Sequence, residues 1–307
     1  MTRRAAAEAR PEHHDGLVIA AYRRHFAVAL DTGELLECVL KGRSLQIACG
    51  DRVQVARVAG GGAIESVLPR VSLIYRSDAF REKLIAANVT QIIGVVAPEL
   101  GLDEELIHRW MIAAEAEGCR FVLVANKSDL PDYPALLARL QPFAALGYPI
   151  VQLAATRDIA PLVPGLRGQH TVLVGQSGMG KSTLVNALIP DAGIRVGEVS
   201  AALATGRHTT TSTTLYPLPA IDADAWIVDS PGMKAFGLSH LDPADIAEAF
   251  VELRPLLGTC RFRDCRHDAE PDCAIQAAVR AGRVAPHRVA LMHAMLRDAR
   301  AVRDPAR

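Results

Sequence analysis

Residues 175–183, Gly-Gln-Ser-Gly-Met-Gly-Lys-Ser-Thr, carry the clearest chemistry in the chain. Gly175-x-x-x-x-Gly180-Lys181-Ser182 is the pattern of a phosphate-binding loop. Glycines there let successive backbone N–H groups, from Gln176 through Gly178 and Met179, curl around phosphate oxygens. The helix that follows adds the positive end of its dipole. Lys181 has the reach for the β- and γ-phosphates, and Ser182, followed by Thr183, offers a hydroxyl to Mg²⁺. Further on, Asp229-Ser230-Pro231-Gly232 follows the apolar run "AWIVD". Asp229 there suits a magnesium contact through a water, and Gly232 a γ-phosphate contact through its N–H. None of this distinguishes ATP from GTP.

Asn126-Lys127-Ser128-Asp129 makes that choice. A carboxylate at Asp129 accepts two parallel hydrogen bonds, from the N1–H and the exocyclic amine of guanine. Adenine lacks both donors and leaves the carboxylate unpaired, at about 2–3 kcal/mol or more. Asn126 can touch the base edge and tie neighbouring loops together, while the Lys127 stem lies along the ring. Alone, such a tetrad is an ordinary solvated turn; beside a phosphate loop it specifies GTP. A third group, Cys260, Cys265, His267 and Cys273, is spaced C-x4-C-x-H-x5-C. Three thiolates and an imidazole suit a closed, structural, tetrahedral Zn²⁺ site, although the spacing is not that of the common zinc fingers and three unrelated thiols remain the alternative.

These groups must be held by strands and helices, and the hydropathy pattern supplies them. Residues 1–14 read as a polar, flexible tail. From 15 to 75, short apolar alternations broken by glycines give four or five strands, a small closed barrel of OB type; an SH3-like barrel has a similar pattern. Residues 76–238 alternate strand and helix: "VTQIIGVVA", "FVLVAN", "PIVQLA", "HTVLVG" and "AWIVD" as strands, with amphipathic helices between them. That is an α/β domain with a mostly parallel sheet. From 239 to 307 only helices are expected, around the cysteine cluster. Lys+Arg and Asp+Glu are equal at 34 each, so contact with nucleic acid must rely on local basic patches. No apolar run is long enough for a membrane span, and the N-terminus lacks a secretory signal, so a cytoplasmic protein without membrane contact is expected. The six cysteines do not suggest a disulfide framework.

The tetrad precedes the phosphate loop, the reverse of the usual order in GTP-binding proteins. Reconnecting a domain elsewhere leaves every strand with its neighbours, so one site in space survives a circular permutation. A permuted GTPase preceded by a barrel and followed by a Cys/His cluster resembles the RsgA (YjeQ) family of small-ribosomal-subunit-dependent GTPases. The resemblance spans roughly residues 15–300 and includes "RSDAFREKLIAANVTQIIGVVAPE", "GQSGMGKST", "GRHTTTSTTLYPLP" and "DSPGMKAFGL". It implies an OB-fold, a permuted GTPase domain and a helical zinc-binding domain. It also implies hydrolysis of GTP with Mg²⁺, stimulated by the 30S subunit, binding to 16S rRNA, and help in releasing other assembly factors late in 30S maturation. A monomer is expected.

Within that resemblance, "GRHTTTSTT" is the expected switch I. Thr209 or Thr210 completes the Mg²⁺ shell, and His208 is either the residue that orients the hydrolytic water or an ordinary polar loop residue. Two departures stand out. Ala154 replaces the usual serine in "QLAAT", leaving the backbone N–H near Ala155 for the base. Met233 stands where many GTPases keep a water-orienting glutamine, so the isolated protein should hydrolyse GTP slowly. Arg23, Arg24, Lys41 and Arg43 on the barrel, Arg261, Arg263 and Arg266 in the cysteine segment, and Arg288, Arg297, Arg300 and Arg303 near the end are either solvated charges or rRNA contacts. Two other functions fit parts of the pattern: a nucleotide-gated RNA- or protein-binding module with incidental hydrolysis, and an ATP-using small-molecule kinase, against which Asp129 argues.

Overall fold

The computed structural model describes residues 13–22, 25–42, 45–78, 81–189, 213–229, 238 and 240–303. Its first five strands are β1 (His13–Tyr22), β2 (His25–Leu30), β3 (Leu35–Leu40), β4 (Arg52–Val58) and β5 (Gly61–Val67). They run β1-β2-β3-β5-β4, and β4 pairs back onto β1, closing a five-stranded barrel of OB type. Alternate residues face inward, and Val18, Phe26, Val28, Val53, Val55 and Ile64 fill the interior. Closure has β1 pair with β4 through residues 13–17 and with β2 through residues 16–22. His13 and His14, assigned to the tail from sequence, are therefore drawn into β1 opposite Ala56 and Val55.

Buried Asp51 fixes the exit from the barrel. It accepts from Arg70 at 2.6 and 2.8 Å and from the Ala48 amide at 2.8 Å. An antiparallel hairpin, β6 (Leu73–Asp78) and β7 (Arg81–Ala87), follows, so residue 75 falls within a strand. Asn88 then bonds to three segments. Its Nδ2 donates to Gly50 O (2.8 Å), its Oδ1 accepts from Val71 N (3.0 Å), and its carbonyl lies 2.8 Å from His170 Nδ1.

The α/β region contains β8 (Gln91–Val96), β9 (Arg120–Ala125), β10 (Ile150–Gln152), β11 (His170–Val174), β12 (Thr213–Pro217) and β13 (Trp226–Asp229). Their order is β10-β9-β8-β11-β13-β12, parallel except for β12. Helices α1 (Glu104–Ala116), α2 (Tyr133–Ala145) and α3 (Lys181–Leu188) cover the sheet. Ile92 and Val96 face one core, and Ile93 and Val95 face the other, which explains why β8 is apolar without alternation. Beyond β12 the sheet continues into the barrel, because Ala20 and Ala21 of β1 pair with Thr214 and Thr213. "TTLYP" is thus a strand between two domains, and its first two residues, Thr213 and Thr214, are the end of the segment expected as switch I.

The C-terminal region has α4 (Pro243–Glu248), α5 (Ala274–Arg280) and α6 (Pro286–Arg303). It packs on the α1 face of the sheet, sharing a core that includes Trp110, Phe250, Ile275 and Met292. One of the arginines read from sequence as a solvated charge or RNA contact is neither. Arg288 is buried, ion-paired with Glu252, and stacked over Phe250 with its guanidinium carbon 4.7 Å from the ring centre. It also donates to His108 Nδ1 at 2.7 Å. An acceptor Nδ1 requires a neutral imidazole, and burial, with the Arg288 charge next, pushes the His108 pKa down to about 3.

The unfolded histidine binds a proton that the folded one rejects, so between its ordinary pKa near 6.5 and about 3 stability falls as pH falls. Lowering the pH from 7 to 5 should therefore remove about 2 kcal/mol through this residue. Denaturant titrations of wild type and His108→Gln at both pH values check this: the variant should lack that share of the pH dependence.

Candidate functional site

All the nucleotide-directed residues among the described ones lie at the carboxyl edge of the parallel strands, where open α/β sheets bind ligands. β9 delivers Asn126–Asp129, β11 delivers the 175–180 loop, and β13 ends in Asp229. β8 lies between β9 and β11, so the tetrad and phosphate loop sit two strands apart despite their reversed order in the chain.

Asn126 joins them. It is 2% exposed; its Nδ2 donates to Met179 O at 2.9 Å, and its Oδ1 accepts from Ala155 N at 2.9 Å. One side chain therefore connects the tetrad, the phosphate loop and the "QLAAT" turn. The Ala155 N–H, expected from sequence to face a base, is directed to Asn126. Ser128 N donates to Leu153 O (3.1 Å), closing the same turn from the other side. Lys127 adopts a left-handed φ of 61° and pairs with Glu99, a partner with no local sequence signal. Asp129 is one-quarter exposed and lies 3.3 Å from Arg157.

In the phosphate loop, Gly178 and Gly180 have φ of 87° and 94°. A Cβ on Gly180 would lie 2.2 Å from Asn126 Nδ2, so glycine is demanded by the approach of the amide as well as by the backbone. Lys181 is buried and bends back, its Nζ donating to Gly175 O (2.7 Å) and Gln176 O (3.1 Å). Burial lowers its pKa, and the nearby Asp229 charge opposes that shift. Gln176 donates to Asp103 Oδ2 (3.4 Å), whose other oxygen caps α1 through Leu106 N (3.0 Å). Ser177, Ser182 and Thr183 are exposed at the loop and first helical turn.

Asp229 is the most unusual carboxylate here. Its Oδ1 is buried without a hydrogen-bond partner, and burial raises its pKa against the opposing Lys181 charge and a hydrogen bond with Ser182. An orphaned buried carboxylate oxygen beside a hydroxyl is a set of hard oxygen donors, which fits Mg²⁺. His208, Thr209, Thr210, Gly232 and Met233 lie outside the described residues.

The cysteine cluster is assembled. The ligand atoms of Cys260, Cys265, His267 and Cys273 all lie within 4.8 Å of one another. Cys260 and Cys273 sulfurs are 3.9 Å apart, and His267 Nδ1 is 3.5 and 3.6 Å from them. Tetrahedral bonds to zinc of about 2.3 Å (S) and 2.0–2.1 Å (N) require edges of about 3.8 Å (S···S) and 3.5–3.6 Å (S···N). The donor set fits such an ion. Backbone amides support the sulfurs: Ala274 N lies 3.3 Å from Cys260 Sγ, and Gln276 N 3.5 Å from Cys273 Sγ. Gln276 Nε2 donates to His267 O (2.7 Å), holding that residue at a left-handed φ of 63°.

The candidate RNA-facing charges divide. Lys41 pairs with Glu65 and Arg261 with Asp272, whereas Arg263, Arg297 and Arg300 are exposed without a partner among the described residues. Arg23, Arg24 and Arg43 lie outside the described residues.

The junction of the two loops yields a test. Gly180→Ala adds a Cβ against Asn126 at a left-handed φ, a conformation that alone disfavours alanine by about 1–2 kcal/mol. Titration with a fluorescent GDP analogue should show binding weakened by at least roughly tenfold, and the melting temperature of the nucleotide-free protein should fall by a few degrees.

The chain is similar to several known proteins. The family model described as RsgA GTPase matches residues 67–239. The small ribosomal subunit biogenesis GTPase RsgA of Nitrosomonas europaea is 45% identical over 287 residues, covering 92% of this chain and 90% of that protein. Its counterpart in Burkholderia pseudomallei strain K96243 is 47% identical over 295 residues, covering 94% and 93%. The crystal structure of YjeQ from Thermotoga maritima superposes with a TM-score of 0.70 at 29% identity, over 94% of this chain and 99% of that one. YloQ, a circularly permuted GTPase, has the same fold, with a TM-score of 0.68 at 20% identity over 96% and 98%.

Proposed function

The chain belongs to the RsgA GTPase family and is a GTP hydrolase of small ribosomal subunit biogenesis, and we propose that the 30S subunit stimulates its turnover. The observation that carries the nucleotide assignment is the buried Asn126 amide, bonded at once to the phosphate loop and the Ala155 turn. It fixes the distance between a base-reading carboxylate and a phosphate cradle.

In this reading Asp129 accepts from the N1–H and 2-amino group of guanine, and the Lys127 stem covers one face of the ring. Backbone amides of Gly175–Thr183 and the Lys181 ammonium hold the phosphates. Ser182 and Asp229 hold Mg²⁺, with Thr209 or Thr210 as a further ligand. When bound, Mg²⁺ neutralises charge on the β- and γ-phosphate oxygens. Gly232 offers its N–H to the γ-phosphate. His208 orients the attacking water, because Met233 has no donor or acceptor suited to that task.

The cysteine cluster holds one structural Zn²⁺, which stabilises a lobe whose loop has little apolar material of its own. Arg263, Arg266, Arg297 and Arg300 provide contacts to 16S rRNA phosphates, together with Arg23, Arg24 and Arg43. The protein acts as a cytoplasmic monomer late in 30S maturation and promotes release of other assembly factors. Among the described residues no helix is long and apolar enough to cross a membrane.

The direct test is GTP hydrolysis by purified protein, alone and with 30S or 50S subunits. Turnover should be slow alone and rise at least tenfold with 30S only; equal rates in all three conditions would refute stimulation. His208→Ala should abolish the stimulated rate while leaving GTP affinity unchanged. Chelation should release one zinc per chain, measured by elemental analysis, and lower the melting temperature without changing GDP affinity.

A further inference from the structure

We infer that Arg157 is a positioning residue for guanine recognition, holding the Asp129 carboxylate in the plane that the base edge requires. This rests on the reading of Asp129 as the base-recognising group. Among the described residues, Arg157 is the charged partner of Asp129, its Nη2 lying 3.3 Å from Oδ2. The carboxylate is one-quarter exposed, so without a partner its terminal torsion is set by water.

The turn that carries Arg157 is suited to orienting it. Ala155 N is anchored on Asn126 Oδ1, Arg157 N donates to Ala154 O (2.8 Å), and Asp158 N donates to the same carbonyl (2.9 Å). The arginine backbone is thus rooted in the junction that positions the tetrad. Arg157 is the residue of this turn whose side chain reaches the carboxylate.

Guanine occupies one lone pair on each Asp129 oxygen, and an ionised carboxylate has about four acceptor positions. An acceptor position on Oδ2 is therefore left for the arginine when the base is bound. Arg157 reduces the freedom that Asp129 loses when the base arrives, which is preorganisation rather than direct contact with nucleotide. The ion pair is largely solvated, so its effect is that of an exposed pair.

Arg157→Ala should weaken GDP binding by about two- to fivefold, the range of an exposed ion pair. Arg157→Lys should recover part of that loss. The discriminating measurement repeats the substitution in an Asp129→Asn background with XDP, whose 2-oxo group pairs with an amide and gives the arginine no carboxylate to hold. There Arg157→Ala should leave affinity unchanged. Equal weakening in both backgrounds would mean that the arginine touches nucleotide or supports the turn, and would overturn the inference; so would an unchanged GDP affinity. If Asp129→Asn alone still prefers GDP to XDP, the base assignment itself fails and this inference falls with it.

Discussion

A buried carboxamide needs partners for both its ends, and in this protein that requirement joins the two halves of the nucleotide site. Asn126 is almost inaccessible to water, so losing either bond would leave a desolvated polar group, a penalty of about 1–3 kcal/mol. Its partners are the Met179 carbonyl and the Ala155 amide, which belong to loops far apart in the chain. Once both bonds form, the phosphate loop and the tetrad cannot move independently. Gly180 permits this closeness because any side chain would overlap the amide.

That constraint also explains why permutation is harmless. Hydrogen bonds depend on spatial neighbours, and the order β9-β8-β11-β13 places the tetrad, the loop and Asp229 along one edge whichever strand comes first in sequence. The consequence of permutation lies in what the sheet is attached to. β12 pairs with β13, which carries Asp229, and with β1 of the barrel, so two backbone ladders run from the site to the N-terminal domain. On the opposite flank, Arg288 reaches across to His108 of α1 and binds the C-terminal lobe through a buried, paired charge. Such a charge tolerates its burial only while Glu252 and the histidine lone pair remain in place.

The phosphate loop, the tetrad and the metal set were legible in the sequence because each is local. Their spacing is imposed by a strand end, a helix start or a tetrahedron of donors, all of which act over a few residues. The barrel and the parallel sheet were legible as well, since burial of one or both strand faces leaves a periodic trace. Arg288 left no such trace, because an arginine on an amphipathic helix reads as solvated until the opposing surface is known. His13 and His14 read as tail, since their place in β1 depends on β4 returning to close the barrel. Lys41 looked available to RNA for a similar reason: Glu65, its partner, is on another strand.

Taken by itself, the sequence determined which groups have donors and acceptors suited to a guanine nucleotide or to a tetrahedral metal ion, because those capacities belong to side-chain chemistry and short-range backbone geometry. Tertiary structure decided which carboxylate oxygen is buried without a partner, which arginines are already spent on ion pairs, and which loop an asparagine binds. Those outcomes depend on close approach between segments distant in the chain: a hydrogen bond is lost once donor and acceptor separate by more than about 3.5 Å, and an ion pair weakens with distance and is screened by salt.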